Sequence, residues 1–423
     1  MKKSIVGNSF IYLFASLINK AIPFILLPLI TKYLSPNEYG ILSICLLIGN
    51  IYLALAGMNM YANISKNFFK VTKKELGVII ENIIVILTFN TAAVMVLTFV
   101  IIFYTDSFFS IPSLALLILP VLNFFSMLNA LNLTVLRNEG KALSFGCLEI
   151  LYTILTLTVT IFLLVMLDIG WLSQIIGSLF AFTILSIYSI TSLVKREYIR
   201  SYKPNKKAIL SILTLSLPLI PHFLAGIVIS VSDRLFIEEM VGVGEVGIYA
   251  IGCSFGMIAA IFIDSFIKAW SPWFYKTMAK PTLRKKTKVV KFTYLFIIAS
   301  GLVALSVNLV THFLIPLMVA EAYFGAQQYV PWVALGCVVH GVYKIFFPYV
   351  VHLGKTKILA QTTLCAAIIN LIFNYYFIDA YGTVGAAYAT IVAYFVSAVL
   401  VASYCARKEP MPWFYFLHKK AVH

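Results

Sequence analysis

Residues 77–104 read GVIIENIIVILTFNTAAVMVLTFVIIFY and contain Glu81 as their only charged residue. A helix of this length, at about 1.5 Å per residue, exceeds the roughly 30 Å thickness of the hydrocarbon core of a bilayer. Lys73 and Lys74 precede the stretch and Asp106 follows it. The segment therefore predicts a membrane-spanning helix whose basic flank faces the cytoplasm.

Similar apolar stretches recur along the whole chain. Of its 423 residues, 61% are hydrophobic and only 11% are charged, a composition that no soluble core of this size can bury. We therefore predict an all-α polytopic membrane protein with 12 transmembrane helices. The predicted spans lie near 5–30, 39–61, 77–104, 112–135, 143–167, 171–193, 209–234, 246–267, 289–315, 329–351, 358–378 and 384–405.

Positive charge alternates between the connections. The chain has a net charge of +16, and 28 of its 32 Lys and Arg residues lie in the termini and in every second connection. This pattern predicts that both termini are cytoplasmic. Because the cations are spread over loops between apolar spans, anionic lipid headgroups explain them better than nucleic acid does. The four exceptions are Lys20, Lys32, Arg234 and Lys344.

The predicted topology divides into two halves. We predict an N-terminal six-helix bundle over 1–193, a cytoplasmic inter-bundle loop over 194–208, a C-terminal six-helix bundle over 209–405 and a cytoplasmic tail over 406–423. Two short matches suggest that the halves are repeats. Parallel six-helix repeats would place a substrate cavity between the bundles and favour rocking of one bundle against the other. The matches pair residues 37–41 with 244–248, and Gly140-Lys141 with Gly354-Lys355.

Two lysines within predicted spans are candidate substrate-binding residues. Lys20 lies near the middle of the first span, roughly 22 Å of helix from Ile5, where snorkelling to a surface is difficult. We predict a cavity cation that contacts phosphate, with a structural ion pair as the alternative. Lys344 lies beside Tyr343 and Phe347, whose aromatic faces could stack on sugar rings. The alternative is an interfacial lysine in a packed aromatic helix.

Four acids and one arginine are candidates for gating or ion coupling. Asp233 and Arg234 end the seventh span and are predicted to hold an outer gate, with diphosphate binding by the arginine as the alternative. Glu81, Glu149 and Asp264 fall near predicted cytoplasmic helix ends. They are predicted to be interfacial, and the alternative is a shared cavity in which one of them carries protons.

Motifs for catalysis or metal binding are weak. The histidines within or beside spans, His340 among them, are predicted to be hydrogen-bonded structural residues. The six cysteines all fall in apolar runs without metal-ligand spacing. We therefore predict no catalytic residue, no cofactor and no metal site.

Four short elements, in order along the chain, carry a family resemblance. Residues 34–40, Leu-Ser-Pro-Asn-Glu-Tyr-Gly, resemble the L-[SG]-P-x-E-[YF]-G element of bacterial polysaccharide exporters. Asp233-Arg234 followed by Gly247-Ile248-Tyr249 is similar to their D-R…G-x-Y element. Residues 269–274, AWSPWF, resemble A-W-x-P-[FW], and residues 381–387, YGTVGAA, resemble Y-G-x-x-G-A-A. The chain thus resembles Wzx-type O-antigen and capsule repeat-unit flippases, in the superfamily of MATE drug exporters and lipid II flippases.

The resemblance implies a MATE-like fold and a flippase. Its substrate would be undecaprenyl-diphosphate-linked oligosaccharide, moved from the cytoplasmic to the periplasmic leaflet of the bacterial inner membrane through a polar, cationic inter-bundle cavity. A protein is needed because burying one unpaired hydroxyl in alkane costs roughly 4–8 kcal/mol. Expected partners are this lipid-linked substrate and the bilayer, with a downstream polysaccharide polymerase and a chain-length regulator as further candidates. The oligomeric state stays open, a monomer included.

Two other functions stay open from the sequence. A MATE-like multidrug or cation antiporter would have acidic residues and few lysines in its cavity. A membrane polysaccharide polymerase or ligase would need a large periplasmic loop with Arg and His, whereas the predicted outward connections hold about a dozen residues at most.

Overall fold

The computed structural model describes Phe24 and residues 26–105, 107–200, 204–217, 220–355 and 357–414. Lys20 and most of the first predicted span lie outside these residues. The chain forms two compact units, an N-terminal unit of Met1–Leu224 and a C-terminal unit of Ala225–His423.

Helices build nearly all of the N-terminal unit. The elements are α1 Pro36–Gly57, α2 Tyr61–Asn67, α3 Lys73–Tyr104, β1 Ser107–Phe108, β2 Ile111–Pro112, α4 Ser113–Asn138, α5 Ala142–Met166, α6 Leu172–Lys195 and α7 Lys206–Ser216. Helices α5 and α6 pack together, α4 packs on α1, α3 and α6, and α7 packs on α3. The short antiparallel pair of strands, β1 and β2, follows α3 and was not expected from the sequence.

The helices of the C-terminal unit are α8 Ile220–Met240, α9 Val243–Gly256, α10 Ile258–Met278, α11 Leu283–Met318, α12 Val330–His352, α13 Lys357–Tyr381 and α14 Val384–Lys408. The first five residues of α8 still belong to the N-terminal unit. Helix α12 is central and packs against α10, α11 and α14, while α13 packs on α14. A 3₁₀ helix, Glu321–Gln328, connects α11 to α12 and packs on α9.

Ten candidate membrane spans occur among the described residues, counting α9 and α10 together as one. They coincide with ten of the twelve predicted spans and confirm an all-α, multi-pass membrane protein. The predicted span at 209–234 corresponds to α7 and α8, and residues 218–219 between them are not described.

One predicted boundary is wrong. The eighth span was expected to end near residue 267, but α10 continues to Met278. Trp270, Phe274 and Met278 recur every four residues, so they share one helix face, and all three are buried. Burial of this aromatic face extends the helix beyond the apolar stretch. The expected long basic connection shrinks to residues 279–282, and Lys268 becomes a helical residue.

The element at 34–40 is the start of helix α1. Ser35 caps the helix: its hydroxyl oxygen accepts a hydrogen bond from the Glu38 backbone N–H at 3.3 Å. The Glu38 carboxylate accepts from the Ser35 backbone N–H at 2.9 Å, which completes a capping box. Pro36 occupies the first turn, where its missing N–H has no helical partner to lose. The serine, proline and glutamate of this element therefore have a local structural role.

The element at 381–387 is a tight turn between α13 and α14. Gly382 has a left-handed backbone with φ +64°, which favours glycine. A Cβ on Gly385 would collide with the backbone carbonyl of Phe377. Glycine at both positions thus allows α14 to start directly beside the end of α13.

The proposed repeat includes two turns of the same conformation. Gly140 and Gly354 both adopt left-handed backbones, with φ of 74° and 66°. The following residues, Lys141 and Lys355, donate their backbone N–H to the carbonyl five residues earlier, at 3.0 and 3.2 Å. Both turns are Schellman motifs, which end a helix with a glycine.

Candidate functional site

A cavity of about 330 Å³ lies within the C-terminal unit, enclosed by α8, α9, α10, α12 and α14. Its volume is in the range of small-molecule sites. Four residues that were site candidates from the sequence line this cavity together: Asp233, Arg234, Asp264 and Lys344. Its polar lining comprises Asp233, Arg234, Tyr249, Asp264, His340, Lys344, Thr390 and Tyr394.

Helix α12 contributes one continuous stripe to this cavity. Trp332, Gly336, His340 and Lys344 all line it. They follow one another at intervals of four residues, so they lie along one face of the helix. This spacing explains why a lysine in the interior of a span points into the cavity.

Lys344 is paired with an acid in the cavity. Its Nζ donates to Asp264 Oδ1 at 2.7 Å, and the two side chains are 28% and 42% exposed. The expected placement of Asp264 beside a helix end is wrong, because the apolar span runs over Val243–Met278 and contains this residue in its interior. An unpaired charge at membrane depth is unfavourable, so the partnership stabilises both ions.

Asp233 is held by α9. Tyr249 donates its hydroxyl to Asp233 Oδ2 at 2.9 Å, and the Arg234 backbone N–H donates to Oδ1 at 2.8 Å. Asp233 is 6% exposed and Tyr249 is 1% exposed. The aspartate and the tyrosine of the D-R…G-x-Y element therefore form a buried hydrogen bond that joins two helices.

Aromatic rings surround His340. Its ring stacks on Tyr394 at a centroid distance of 4.3 Å and an interplanar angle of 5°, and on Tyr343 at 5.8 Å and 29°. Tyr343 is buried and packs against the histidine ring. Phe347 is 40% exposed and is not among the residues that line the cavity. The aromatic side chains in this cavity wall include Tyr249, Tyr394 and Trp332. The proposed roles of Tyr343 and Phe347 in substrate binding stay predictions.

The formal charges of the cavity balance. Two aspartates, Asp233 and Asp264, stand against Arg234 and Lys344. This cavity therefore has no excess of either charge. The cationic cavity expected from the sequence was placed between the two bundles and stays a prediction. Within the described ranges, no cluster of three His, Cys, Asp or Glu residues is placed to hold a metal ion.

Glu81 and Glu149 lie in the N-terminal unit and have separate surroundings. Glu81 is 5% exposed and accepts the backbone N–H of Arg200 at 2.6 Å. Its neighbour Asn82 accepts the backbone N–H of Asn205 at 2.7 Å. Both side chains of α3 therefore hold the chain segment that leads to α7. Glu149 instead lines a second cavity, of about 470 Å³.

A polar cluster joins the ends of α4 and α6. Glu139 accepts hydrogen bonds from Arg196 at 2.8 Å and from Tyr198 at 2.9 Å. It also forms an ion pair with Lys141 at 2.9 Å. Arg196 donates a further hydrogen bond to Asn132. Burial opposes ionisation of Glu139, but hydrogen bonds and the neighbouring cations outweigh it and lower its pKa below the ordinary 4.5. Partial burial and the hydrogen bond to Glu139 raise the pKa of Tyr198 to about 12.

Sequence reasoning did not select four polar residues that line the C-terminal cavity, namely Tyr249, His340, Thr390 and Tyr394. Tyr249 could have been found, because it is the tyrosine of the D-R…G-x-Y element. His340 was predicted to be structural, and its four-residue spacing from Lys344 was the available signal. Tyr394 carried no signal, because it is one of 24 tyrosines and only helix packing brings it to the cavity.

Two relatives in Haemophilus influenzae resemble the chain along most of its length. Protein 1 of the Lsg locus is 23% identical over 373 residues, which cover 86% of this chain and 88% of that protein. An uncharacterized membrane protein is 21% identical over 376 residues, covering 88% and 89%.

Solved structures of two kinds share the fold. The lipid II flippase MurJ in an inward closed conformation superposes with a TM-score of 0.74 at 14% identity, covering 94% of this chain and 87% of that chain. An inward-facing multidrug resistance MATE family transporter of the MOP superfamily gives a TM-score of 0.69 at 14% identity, covering 95% and 96%. The chain therefore has the MATE-like fold that the sequence resemblance predicted.

The family assignment covers both units in part. Residues 5–278 match the family described as polysaccharide biosynthesis protein, which is well over half of the chain. The match includes the capping element at 34–40 and the Asp233–Tyr249 pair. This multi-pass membrane protein therefore belongs to the polysaccharide biosynthesis protein family.

Proposed function

We propose that this chain is a flippase that moves undecaprenyl-diphosphate-linked oligosaccharide repeat units from the cytoplasmic to the periplasmic leaflet of a bacterial inner membrane. One conjunction carries the proposal: a member of a polysaccharide biosynthesis family has the fold of a lipid II flippase. To cross the bilayer, the polar headgroup must pass the hydrocarbon core, where its hydroxyls and phosphates would lose their hydrogen bonds to water. A polar path through the protein avoids this loss.

The charged pairs of the C-terminal cavity suit this task. At rest, Asp264 neutralises Lys344 and limits the energetic penalty of a charge at membrane depth. A diphosphate that reaches the cavity would compete with this carboxylate for the lysine, and Arg234 would be a second cation for the same ligand. Tyr249 would keep Asp233 in place during this exchange. In this proposal the two halves of the chain alternate access to the two leaflets.

The experiment that tests the proposal is deletion of the gene in its own bacterium. We expect lipid-linked repeat units to accumulate on the cytoplasmic leaflet and surface polymer to disappear. Restoring the gene should reverse both effects. Normal surface polymer without accumulation in the deleted strain would refute the flippase.

Replacement of single cations tests the residues. Lys20→Gln, Arg234→Gln and Lys344→Gln should each reduce surface polymer, and Lys195→Gln, at the exposed end of α6, is the matched control. Full activity of all three variants would remove the cations from the mechanism while leaving the flippase intact. Candidate partners, a downstream polymerase and a chain-length regulator, would be sought by cross-linking in the same strain.

A second candidate function is a MATE-like multidrug or cation antiporter. Asp233 and Asp264 in the cavity favour it, since carboxylates attract cationic substrates, and the fold is shared with a multidrug transporter. Overexpression should then raise resistance to cationic drugs, and Asp264→Asn should abolish the resistance. The flippase predicts unchanged drug susceptibility. The transporter fold argues against the third possibility, a polymerase or ligase.

A further inference from the structure

The second cavity, within the N-terminal unit, has no part in the site described above. It encloses about 470 Å³ between α2, α4 and α5. We infer that this cavity binds a sugar residue of the transported oligosaccharide. The inference rests on the proposed function and adds to it a site that recognises the carbohydrate rather than the diphosphate.

A break in the chain shapes this cavity. Helix α1 ends at Gly57 and α2 begins at Tyr61. Between them, Met58 and Asn59 both have left-handed backbones, with φ of 45° and 49°. Consecutive left-handed residues other than glycine are strained, and such strain is concentrated at functional sites. Here the break places Asn59 and Tyr61 in the cavity wall.

The lining offers both hydrogen-bond donors and acceptors. Asn59, Tyr61, Thr134, Arg137 and Glu149 contribute an amide, two hydroxyls, a guanidinium and a carboxylate. The Tyr61 hydroxyl is buried and finds no hydrogen-bond partner within the described part of the chain. A buried hydroxyl without a partner is unfavourable, and a ligand hydroxyl would satisfy it.

A sugar fits this lining better than other ligand classes. Sugar hydroxyls can donate to Glu149 and accept from Arg137, so a neutral polyhydroxyl ligand uses both charged groups. A charged ligand would be attracted by one of these two groups and repelled by the other, whereas a neutral ligand with donors and acceptors can bind both. Phe145 supplies an aromatic wall, whose negatively polarised face suits the C–H face of a sugar ring. The charged side chains of Arg137 and Glu149 in the lining disfavour a lipid tail, and the volume is typical of a ligand site.

The location suits the start of transport. Arg137 is exposed in the last turn of α4, and Lys141 follows three residues after that helix ends. The alternation of basic connections predicts that this end of α4 faces the cytoplasm. A sugar site there would meet the oligosaccharide while it is still on the cytoplasmic side, so it would select substrate at loading.

Binding to the purified full-length chain in nanodiscs tests the inference. The probe is the water-soluble repeat-unit oligosaccharide released from the lipid carrier of the native host, and inorganic pyrophosphate is the comparison probe. Tyr61→Phe removes only the hydroxyl, and Glu149→Gln removes only the charge. Each should weaken oligosaccharide binding about tenfold, as expected for the loss of one good hydrogen bond. Pyrophosphate binding should not change.

Controls separate binding from folding. Glu197→Gln, a change of an acid with a 62% exposed side chain in the same unit, should bind oligosaccharide as the wild type does. Tyr61→Phe should melt at or above the wild-type temperature, because the buried hydroxyl has no partner among the described residues. If Tyr61 had only a structural role, a loss of sugar affinity in Tyr61→Phe would be accompanied by a loss of stability.

The outcomes distinguish this site from the flippase itself. Wild-type affinity in both cavity variants, or absence of oligosaccharide binding by the wild type, would overturn the sugar site. Altered pyrophosphate binding with unaltered oligosaccharide binding would overturn it as well, because the cavity would then take a phosphate. The flippase fails separately, if the gene-deleted strain shows a normal leaflet distribution of lipid-linked repeat units.

Discussion

Removal of one member of the Lys344–Asp264 ion pair should destabilise the protein more than removal of both. Lys344→Gln leaves Asp264 as an uncompensated anion inside a membrane span. A central charge costs about 2.5–3.5 kcal/mol on insertion scales. The side chains are 28% and 42% exposed, so water in the cavity attenuates this penalty. We therefore expect a loss of about 1–2 kcal/mol in the free energy of unfolding.

The reverse variant should be milder. Asp264→Asn leaves the lysine, whose long side chain can move its charge toward water, and a loss of about 1 kcal/mol is expected. The double variant has no buried charge at this site and should recover most of the stability. Because the double variant is expected to lose little, the coupling energy in the double-mutant cycle should approach the sum of the two single losses, about 2–3 kcal/mol.

Thermal unfolding in detergent, followed by tryptophan fluorescence, measures the effect. For a unit of this size, 1 kcal/mol corresponds to a shift of about 2–4 °C in Tm. The Arg200–Glu197 pair is the control, since its side chains are 49% and 62% exposed and its coupling should be at most about 0.5 kcal/mol. If the two single losses at Lys344 and Asp264 simply add in the double variant, within about 0.5 kcal/mol, the two residues are not energetically coupled and our reasoning is wrong.

Three further perturbations have defined outcomes. Gly385→Ala should lower the yield of folded protein and reduce the free energy of unfolding by about 1–3 kcal/mol, because the added Cβ would collide with the Phe377 carbonyl. Size-exclusion chromatography and thermal unfolding measure the two effects. A variant that unfolds at the wild-type temperature would contradict this prediction. Ser35→Ala removes the cap of α1 and should cost about 1 kcal/mol, measured by the same melt, whereas Ser35→Thr should cost little. The folded-state pKa of Glu139 is lowered, so the ionised carboxylate stabilises the fold at pH values above its ordinary pKa of 4.5. This stabilisation is lost as the pH falls through the lower folded-state pKa, and Tm should drop over that acidic range. In Glu139→Gln the drop should be smaller.

Predictability differed between elements for identifiable reasons. The spans over 77–104 and 384–405 were located within a few residues, because apolar length is a local property of the chain. The end of the eighth span was misplaced because Trp270 and Phe274 extend α10 by packing on another helix. Periodicity at 270–278 was visible, but a partner for that face was not.

In the candidate site, too, individual residues could be selected from the sequence, whereas their partners could not. Lys344 and Arg234 stood out because cations are rare inside apolar spans. Their surroundings were not visible, so the pairing of Lys344 with Asp264 and the presence of Asp233 beside Arg234 in one cavity could not be predicted. The cationic cavity expected between the two bundles stays a prediction. Phe347, three residues after Lys344, is 40% exposed and is not part of this cavity wall, so its proposed contact with substrate stays a prediction.

The sequence by itself determined that this is a helical, multi-pass membrane protein that resembles bacterial polysaccharide exporters. Apolar length, loop charge and short turn elements such as the cap at Ser35 depend on neighbouring residues, and these can be evaluated in one dimension. Only the tertiary structure decided that Lys344 meets Asp264, 80 residues away, and that Tyr249 supports Asp233. Such pairs depend on which helix faces pack together, and the free energy of that packing is distributed over many apolar contacts that no single stretch of sequence contains.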